Sequence, residues 1–151
     1  MTVQFFFQQP VPSLRQRAQL KVFLAGIFKK EKQPLGMLTY IFCSDEELLD
    51  INRQFLQHDY YTDIITFNLA GNDQPVQGEI YISVDRVKDN TAMMGTSFKE
   101  EIHRVIFHGA LHLCGYKDKS KADITVMRKK EDQYLTTYFN VPRIPVPAGN
   151  K

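Results

Sequence analysis

All four strand-like segments of this 151-residue sequence lie before Asp85, and the pattern from Asp85 onward is helical. The strand-like segments are residues 3–7, 35–43, 62–67 and 78–84, and the last of them alternates apolar and polar side chains with the period of a half-buried strand. Residues 71–75, Gly-Asn-Asp-Gln-Pro, predict a hairpin loop between the last two strands. Strands followed by consecutive helices favour an α+β fold, so we expect one domain with a mixed four-stranded sheet covered by about five helices.

Capping residues mark the predicted helix starts. Ser13 is the predicted N-cap of a first helix, whose apolar positions recur at helical spacing: Leu14, Ala18, Val22, Ala25 and Phe28. Ser44 and Glu47 have the spacing of a capping box, and the helix that follows carries Leu48, Leu49, Ile51, Phe55 and Leu56. Three further helices are expected: residues 85–94, a helix that begins after Ser97 and ends at Gly115, and residues 120–139.

Composition and charge limit the class of protein. Hydrophobic residues make up 43% and charged residues 24% of the chain, which is typical of one globular domain; we expect that domain to span residues 1–141 and a frayed tail to span residues 142–151. The net charge of +2 is too small to indicate nucleic-acid binding by itself. Cys43 and Cys114 form no CxxC pair, and no apolar stretch approaches the length of a membrane span. We therefore expect a soluble cytoplasmic protein without a membrane partner or a nucleotide cofactor.

A pair of histidines carries the first sign of chemistry. His108 and His112 are four residues apart on a predicted helix, which places both imidazoles on one helix face. Two neutral imidazoles at this spacing suit a borderline-soft divalent cation such as zinc. The same spacing is also common among ordinary helix residues, so the pair needs a third ligand to indicate a metal site.

Asp118 is the predicted third ligand. The helix is expected to end at Gly115, where the chain can turn back and bring the Asp118 carboxylate to the side of the histidines. Three protein ligands leave a tetrahedral zinc ion with one open position for water, which is typical of catalytic sites. The residues 108–118 therefore predict a single-metal hydrolase.

Gly109 and the two remaining histidines, His103 and His58, have expected roles other than binding the ion. Gly109 costs about 1 kcal/mol relative to alanine inside a helix, so we expect a close approach of a strand or substrate, or tight helix–sheet packing. His103 is about 140° around the helix from His108 and is expected at the surface or beside the ligands. His58, in a Gln-His-Asp loop, is expected not to bind the ion.

The block His-Gly-x-Leu-His-Leu-x-Gly-Tyr, here residues 108–116, resembles the signature of the YbeY family of bacterial metal-dependent endoribonucleases. Residues 49–67, with Asn52, Asp59 and the run from Thr62 to Phe67, are similar to a second block of that family, and residues 78–83 are similar to a third. The resemblance implies an α+β fold, a zinc-type ion, and cleavage of single-stranded RNA in the maturation and quality control of small-subunit ribosomal RNA, in association with ribosomes. It also implies that His108 and His112 are the first two metal ligands.

This sequence departs from the family pattern at two positions. Asp118 stands where the family usually has a histidine ligand, which makes the site harder and leaves manganese and nickel as alternatives to zinc. Leu56 stands where the family typically has an arginine, and Arg53 lies one turn earlier. Lys117, Lys119 and Lys121 are possible substitutes for that arginine, but they are more typical of a solvated charge run.

The sequence leaves the roles of two further carboxylates and three tyrosines open. Asp63 and Glu79 are possible carboxylates near the metal, and Tyr60, Tyr61 and Tyr116 can stack on bases or pack in the core. The sequence assigns no general base and leaves both direct attack by water and activation of the ribose 2′-hydroxyl open.

Two rival functions remain. A zinc peptidase would lack its usual base, because Gly109 replaces the glutamate of HExxH. A ribosome- or RNA-binding accessory protein, whose metal only stabilises the loop around Asp118, is the other alternative.

Overall fold

The structure is a computed structural model that describes residues 2–140. Its elements, in chain order, are β1 (Thr2–Phe7), α1 (Arg17–Lys30), β2 (Leu35–Cys43), α2 (Asp45–Leu56), β3 (Ile64–Asn68), β4 (Val76–Ser83), α3 (Val84–Met94), α4 (Phe98–Leu113) and α5 (Lys121–Asn140). The predicted frayed tail, residues 142–151, lies outside the described residues. The single α+β domain with a mixed four-stranded sheet and five helices confirms the predicted fold class.

The sheet has the strand order β1-β2-β4-β3. β1 pairs parallel to β2, and β2 pairs parallel to β4. β3 and β4 form the predicted hairpin and pair antiparallel, with Ile64 opposite Ile82 and Asn68 opposite Gly78. Successive side chains of β4 point to opposite faces of the sheet. Ile80 and Ile82 therefore face the main core, and Tyr81 between them faces the other side.

The main hydrophobic core lies between the sheet and helices α1, α4 and α5. Its largest fully buried side chains include Tyr40, Phe42, Phe28, Phe107 and Ile80. A smaller cluster on the other face joins Cys43, Leu48 and Ile65 under α2. Helix α4 is buried along residues 101–107 without a break because it packs against both the sheet and α5.

Two predicted helix starts differ in outcome. Ser44 caps α2 as predicted: its hydroxyl accepts from Glu47 N–H at 3.1 Å, and the Glu47 carboxylate accepts from Ser44 N–H at 2.9 Å. The predicted cap at Ser13 is wrong, because α1 begins at Arg17, after Gln16 in a left-handed conformation. Residues 11–14 instead form a turn closed by a 3.0 Å hydrogen bond from Leu14 N–H to Val11 O.

The buried stripe of α1 also differs from the prediction. Val22 is 74% exposed, and the buried positions are Leu20, Leu24, Ile27 and Phe28. On α2, Phe55 and Leu56 were expected in the apolar stripe but are exposed near the end of the helix. Within residues 2–140, no helix combines the length and the apolar character needed to cross a membrane.

Candidate metal centre

Two imidazoles and one carboxylate converge at the end of α4. His108 Nε2 and His112 Nε2 each lie 3.1 Å from the same oxygen, Asp118 Oδ2. The three ligand atoms all lie within 4.8 Å of one another. Atoms that bind one zinc ion at about 2.0–2.2 Å must be within about 4 Å of each other, so a small adjustment would let this group hold one ion. The three predicted ligands are therefore the residues that the fold brings together.

The turn after α4 positions Asp118. Gly115 N–H donates to His112 O and Tyr116 N–H donates to Leu111 O, both at 3.0 Å, which is the pair of hydrogen bonds of a Schellman motif. Gly115 has a φ of +104°, in the region that favours glycine. The chain reverses here, so Asp118 returns to the face of the helix that carries the histidines, as the sequence predicted.

The other ring nitrogen of His108, Nδ1, contacts a buried carboxylate. His108 Nδ1 lies 2.5 Å from Glu131 Oε2, and Glu131 Oε1 accepts from Arg104 Nη1 at 3.0 Å. The side chains of Glu131 and Arg104 are 5% and 9% exposed, so this contact is almost entirely withdrawn from water. A carboxylate on the far nitrogen of a histidine is the common way in which proteins orient a metal ligand.

His108 and Asp118 shift each other's pKa. Burial lowers the pKa of His108, but the hydrogen bond with Glu131 and the charges of Glu131 and Asp118 outweigh burial and raise it. Burial raises the pKa of Asp118, but the hydrogen bond and the charge of His112, followed by those of His108, lower it overall. An imidazole must be neutral to bind a metal, so protonation of His108 competes with metal binding and a raised pKa extends this competition to higher pH.

The three predicted ligands lie in an open cleft of about 790 Å³. Its lining also includes Arg104 and Glu131, and residues of β3, α2 and α5. This volume lies within the range of ligand-binding clefts, about 300–1,000 Å³.

Of Asp63 and Glu79, the two carboxylates without a role assigned from the sequence, only Asp63 lies at the cleft. Asp63 lines the cleft, where Asn90 Nδ2 donates to its Oδ2 at 3.3 Å. Burial raises the pKa of Asp63, although the nearby His108 opposes that effect. Glu79 does not line the cleft; it accepts a hydrogen bond from Tyr81 on the opposite face of the sheet, because β4 alternates its side chains.

Two arginines that the sequence did not single out line the cleft: Arg104, whose guanidinium pairs with Glu131 and Asp132, and Arg128, which is more exposed. Arg53 pairs with Asp59 at 2.5 Å and is not among the cleft residues. Lys117, Lys119 and Lys121 are exposed and also lie outside the cleft lining. Arg128 of α5 lines the cleft with a side chain that is 46% exposed, and its Nη1 is 3.8 Å from Glu131 Oε1.

Aromatic residues lie at the rim of the cleft. Tyr60 is 56% exposed, and its ring stacks on the ring of His58 with centroids 5.0 Å apart. Tyr61 is also exposed but does not line the cleft. Tyr116 packs against the main core, and its hydroxyl donates to Glu31. Of the three tyrosines, Tyr60 is therefore the one that a ligand in the cleft can reach.

Two other expectations on α4 are resolved by packing. Gly109 faces the sheet, where an added Cβ would lie 2.9 Å from Ile80 Cδ1 and 3.0 Å from Ile64 Cδ1; helix–sheet packing therefore explains the glycine. The expected surface position of His103 is wrong: it is 2% exposed and stacks against Tyr138. Its burial follows from the packing of α5 on α4, which the period of α4 alone does not reveal.

Glu131 and Arg104 were missed as well. Glu131 lies in the buried stripe of α5 with Met127, Tyr134, Leu135 and Tyr138. A lone carboxylate at an apolar position of a helix is the signal that could have identified it, since buried charges are paired or bind metals.

The fold and the site together define a class: a single α+β domain whose cleft carries a possible three-ligand metal site. A family model described as Endoribonuclease YbeY matches residues 7–139, and the chain belongs to the YbeY family.

Relatives agree with this assignment, and a solved structure has a similar fold. The chain is 51% identical over 135 residues to an Endoribonuclease YbeY of Cytophaga hutchinsonii, covering 89% of this chain and 94% of the relative. It is 41% identical over 125 residues to an Endoribonuclease YbeY of Bacteroides thetaiotaomicron, covering 83% and 90%. The solution structure of TM1509 from Thermotoga maritima is similar with a TM-score of 0.66 and 28% identity, covering 93% of this chain and 90% of that one.

Proposed function

We propose that this chain is a metal-dependent endoribonuclease that cleaves single-stranded RNA in the 3′-end maturation and quality control of small-subunit ribosomal RNA. Membership in the YbeY family supports hydrolysis of RNA phosphodiester bonds. The observation that carries the proposal is the convergence of His108, His112 and Asp118 in an open cleft. Association with ribosomes, in the cytoplasm, is part of the same proposal.

Zinc is the ion that we propose for this site. Two imidazoles and one carboxylate suit zinc, and the oxygen ligand Asp118 keeps manganese and nickel as alternatives. The buried Glu131 behind His108 supports the fit, because a histidine that binds a metal usually donates its other N–H to a carboxylate. The chemistry that such an ion supplies when bound is polarisation of a phosphoryl oxygen and a lowered pKa of water.

The other residues of the cleft act on the substrate. The guanidinium of Arg128 can bind a phosphate oxygen, since this side chain lines the cleft and is half exposed. The exposed ring of Tyr60 offers a stacking face for an unpaired base. Asp63 lies outside the three-ligand group, and a carboxyl with a raised pKa can exchange a proton at this place.

The test is cleavage of a single-stranded RNA oligonucleotide by the zinc-loaded protein, by the same protein after chelation, and by His112→Ala. Of these three samples, only the zinc-loaded wild type is expected to cleave the RNA. His58→Ala is the matched control, because His58 is a cleft histidine outside the three-ligand group, and it should keep zinc binding. Cleavage that survives both chelation and His112→Ala would contradict the proposal.

Two other results would favour the rival functions. Tight RNA or ribosome binding without cleavage would favour the accessory protein. Hydrolysis of peptides would favour the peptidase, although Gly109 packs against the sheet and provides no carboxylate base.

A further inference from the structure

A buried chain of three side chains ends at a proposed metal ligand. Arg104 Nη1 donates to Glu131 Oε1 at 3.0 Å, and Glu131 Oε2 lies 2.5 Å from His108 Nδ1. The other ring nitrogen, His108 Nε2, faces Asp118 Oδ2 at 3.1 Å. Glu131 therefore contacts the ligand on the side that points away from the cluster.

We propose that Glu131 is a positioning residue that holds the hydrogen of His108 on Nδ1 and leaves the lone pair of Nε2 for the metal, and that Arg104 keeps the Glu131 carboxylate in place for this task. The inference rests on the proposed role of His108 as a ligand. An ionised carboxylate has no hydrogen to donate, so a ring nitrogen that faces it must supply the hydrogen. Both nitrogens of His108 face a carboxylate, but Glu131 Oε2 is nearer to Nδ1, at 2.5 Å, than Asp118 Oδ2 is to Nε2, at 3.1 Å, so the single hydrogen of a neutral imidazole stays on Nδ1. The tautomer of His108 is thus set by a residue 23 positions later in the chain.

Arg104 matters because of the burial of Glu131. A carboxylate that is 5% exposed is costly unless a cation and hydrogen bonds compensate for the lost water. Arg104 is anchored in turn by Asp132, whose Oδ1 accepts from Arg104 Nη2 at 2.7 Å. Arginine only donates hydrogen bonds, so the Glu131 oxygen that faces it must remain an acceptor.

The substitution Glu131→Gln separates this role from simple space filling. A glutamine has one oxygen and one NH₂ group, and Arg104 requires the oxygen. The NH₂ group then faces His108 Nδ1, which must become an acceptor. The hydrogen of a neutral His108 moves to Nε2, and the lone pair that binds the metal is lost.

The experiment measures two quantities in wild type, Glu131→Gln and Glu100→Gln. The first is Zn²⁺ affinity, by competition with a chromophoric chelator. The second is the tautomer of His108 in the metal-free protein at a pH where its imidazole is neutral, from the ¹⁵N chemical shifts of the ring. Glu100→Gln is the matched control, since Glu100 lies 3.8 Å from Arg104 Nη2 but is 47% exposed and has no contact with His108.

We expect Glu131→Gln to bind Zn²⁺ about 10–100-fold more weakly and to carry the hydrogen on Nε2. Glu100→Gln should keep the affinity and the Nδ1–H tautomer of wild type. The double variant Arg104→Met with Glu131→Gln frees the amide to turn its oxygen toward His108, so Nδ1–H and part of the affinity should return. A variant that had lost its fold would not recover, so recovery shows that Glu131→Gln acts through the orientation of its amide. Thermal unfolding of each variant checks directly that it is folded.

Two results would overturn the inference. One is a Glu131→Gln variant that keeps the Nδ1–H tautomer and the zinc affinity of wild type. The other is a folded double variant that fails to recover, which would remove Arg104 from the arrangement. Failure of the proposed metal site has a different signature, because His108→Ala would then bind Zn²⁺ as tightly as wild type. Failure of the proposed RNA cleavage would leave the zinc affinities and the tautomers of all these variants as expected.

Discussion

The hydroxyl of Tyr116 donates a hydrogen bond to Glu31 Oε1 at 2.8 Å, across 85 residues of sequence. Glu31 is the C-cap of α1, and it also accepts from the Tyr134 hydroxyl and from Lys130 Nζ of α5. Tyr116 lies two residues before Asp118. One carboxylate therefore links the loop of Asp118, the proposed third ligand, to two helices of the core.

Tyr116→Phe removes this hydrogen bond and keeps the aromatic ring. A hydrogen bond to a charged group contributes about 1.5–3 kcal/mol, so we expect the free energy of unfolding of the chelated protein to fall by about 1–2 kcal/mol. Zn²⁺ affinity should also fall, because the loop that carries Asp118 loses an anchor. Tyr61→Phe is the control, since Tyr61 donates to Glu46 at an exposed position. Equal stability and zinc affinity of Tyr116→Phe and wild type would contradict this role.

The Glu31 cluster also predicts a dependence of stability on pH. Burial raises the pKa of Glu31, but the hydrogen bonds from Tyr134 and Tyr116 and the charge of Lys130 outweigh it, so the pKa in the folded protein is lowered. A carboxylate with a lowered pKa stabilises the fold above its unfolded pKa, and this contribution is lost as the pH falls through the folded value.

We therefore expect wild type to exceed Glu31→Gln in free energy of unfolding at neutral pH, and the difference to shrink as the pH falls below about 4.3. Urea unfolding of both chelated proteins over a series of pH values measures this difference. A difference that stays constant down to acid pH would show that ionised Glu31 contributes nothing specific.

The elements that the sequence predicted well are those fixed by local chemistry. The capping box of Ser44 and the glycine turn at Gly115 depend on neighbours within a few residues, and both are found where the sequence predicts them. The approach of His108, His112 and Asp118 follows from one helical turn plus one reversal, so the sequence contains all that is needed to predict it.

The missed features depend on contacts between distant segments. Glu131 meets His108 only because α5 packs on α4, and the same packing buries His103. The predicted start of α1 was wrong because residues 11–14 form a separate turn. This turn buries Val11 and Leu14 at the same spacing as the first turn of a helix. Helical spacing of apolar residues alone does not distinguish such a buried turn from the first turn of a helix.

Gly109→Ala tests the contact between α4 and the sheet. Alanine gains about 1 kcal/mol of helix propensity, but its Cβ would crowd Ile80 and Ile64 in a filled core, which costs about 1–3 kcal/mol. We expect a net loss of about 1 kcal/mol in the free energy of unfolding, measured with urea on the chelated protein.

Gly26→Ala is the matched substitution, because Gly26 lies inside α1 with no atom within 4 Å of an added Cβ. It should stabilise the protein by about 0.5–1 kcal/mol. Adding Ile80→Val, which removes the nearest methyl group, should relieve part of the crowding in Gly109→Ala. If both glycine variants were stabilised equally, the packing explanation for Gly109 would be wrong.

Arg128→Ala tests whether this residue contacts a phosphate group of RNA in the cleft. Loss of one charge-assisted contact to a phosphate should lower kcat/KM for single-stranded RNA by about tenfold or more and make cleavage less sensitive to salt. Lys129→Ala is the control, because it removes the same charge from the next, exposed position of α5. If the two variants lose the same activity, the effect is one of net charge and not of a contact in the cleft.

Asp118→His places at the third position the residue type that the family usually has there. A third imidazole is a softer ligand than a carboxylate and removes one negative charge, so the ratio of Zn²⁺ to Mn²⁺ affinity should rise. Competition between the two ions, followed by elemental analysis of the loaded protein, measures that ratio. Lys119→His is the control, since it adds a histidine one residue away at an exposed position outside the group of ligands. Because His108 and His112 stay in place in both variants, a change confined to Asp118→His would assign the third ligand to this position, and an unchanged ratio would remove Asp118 from the site.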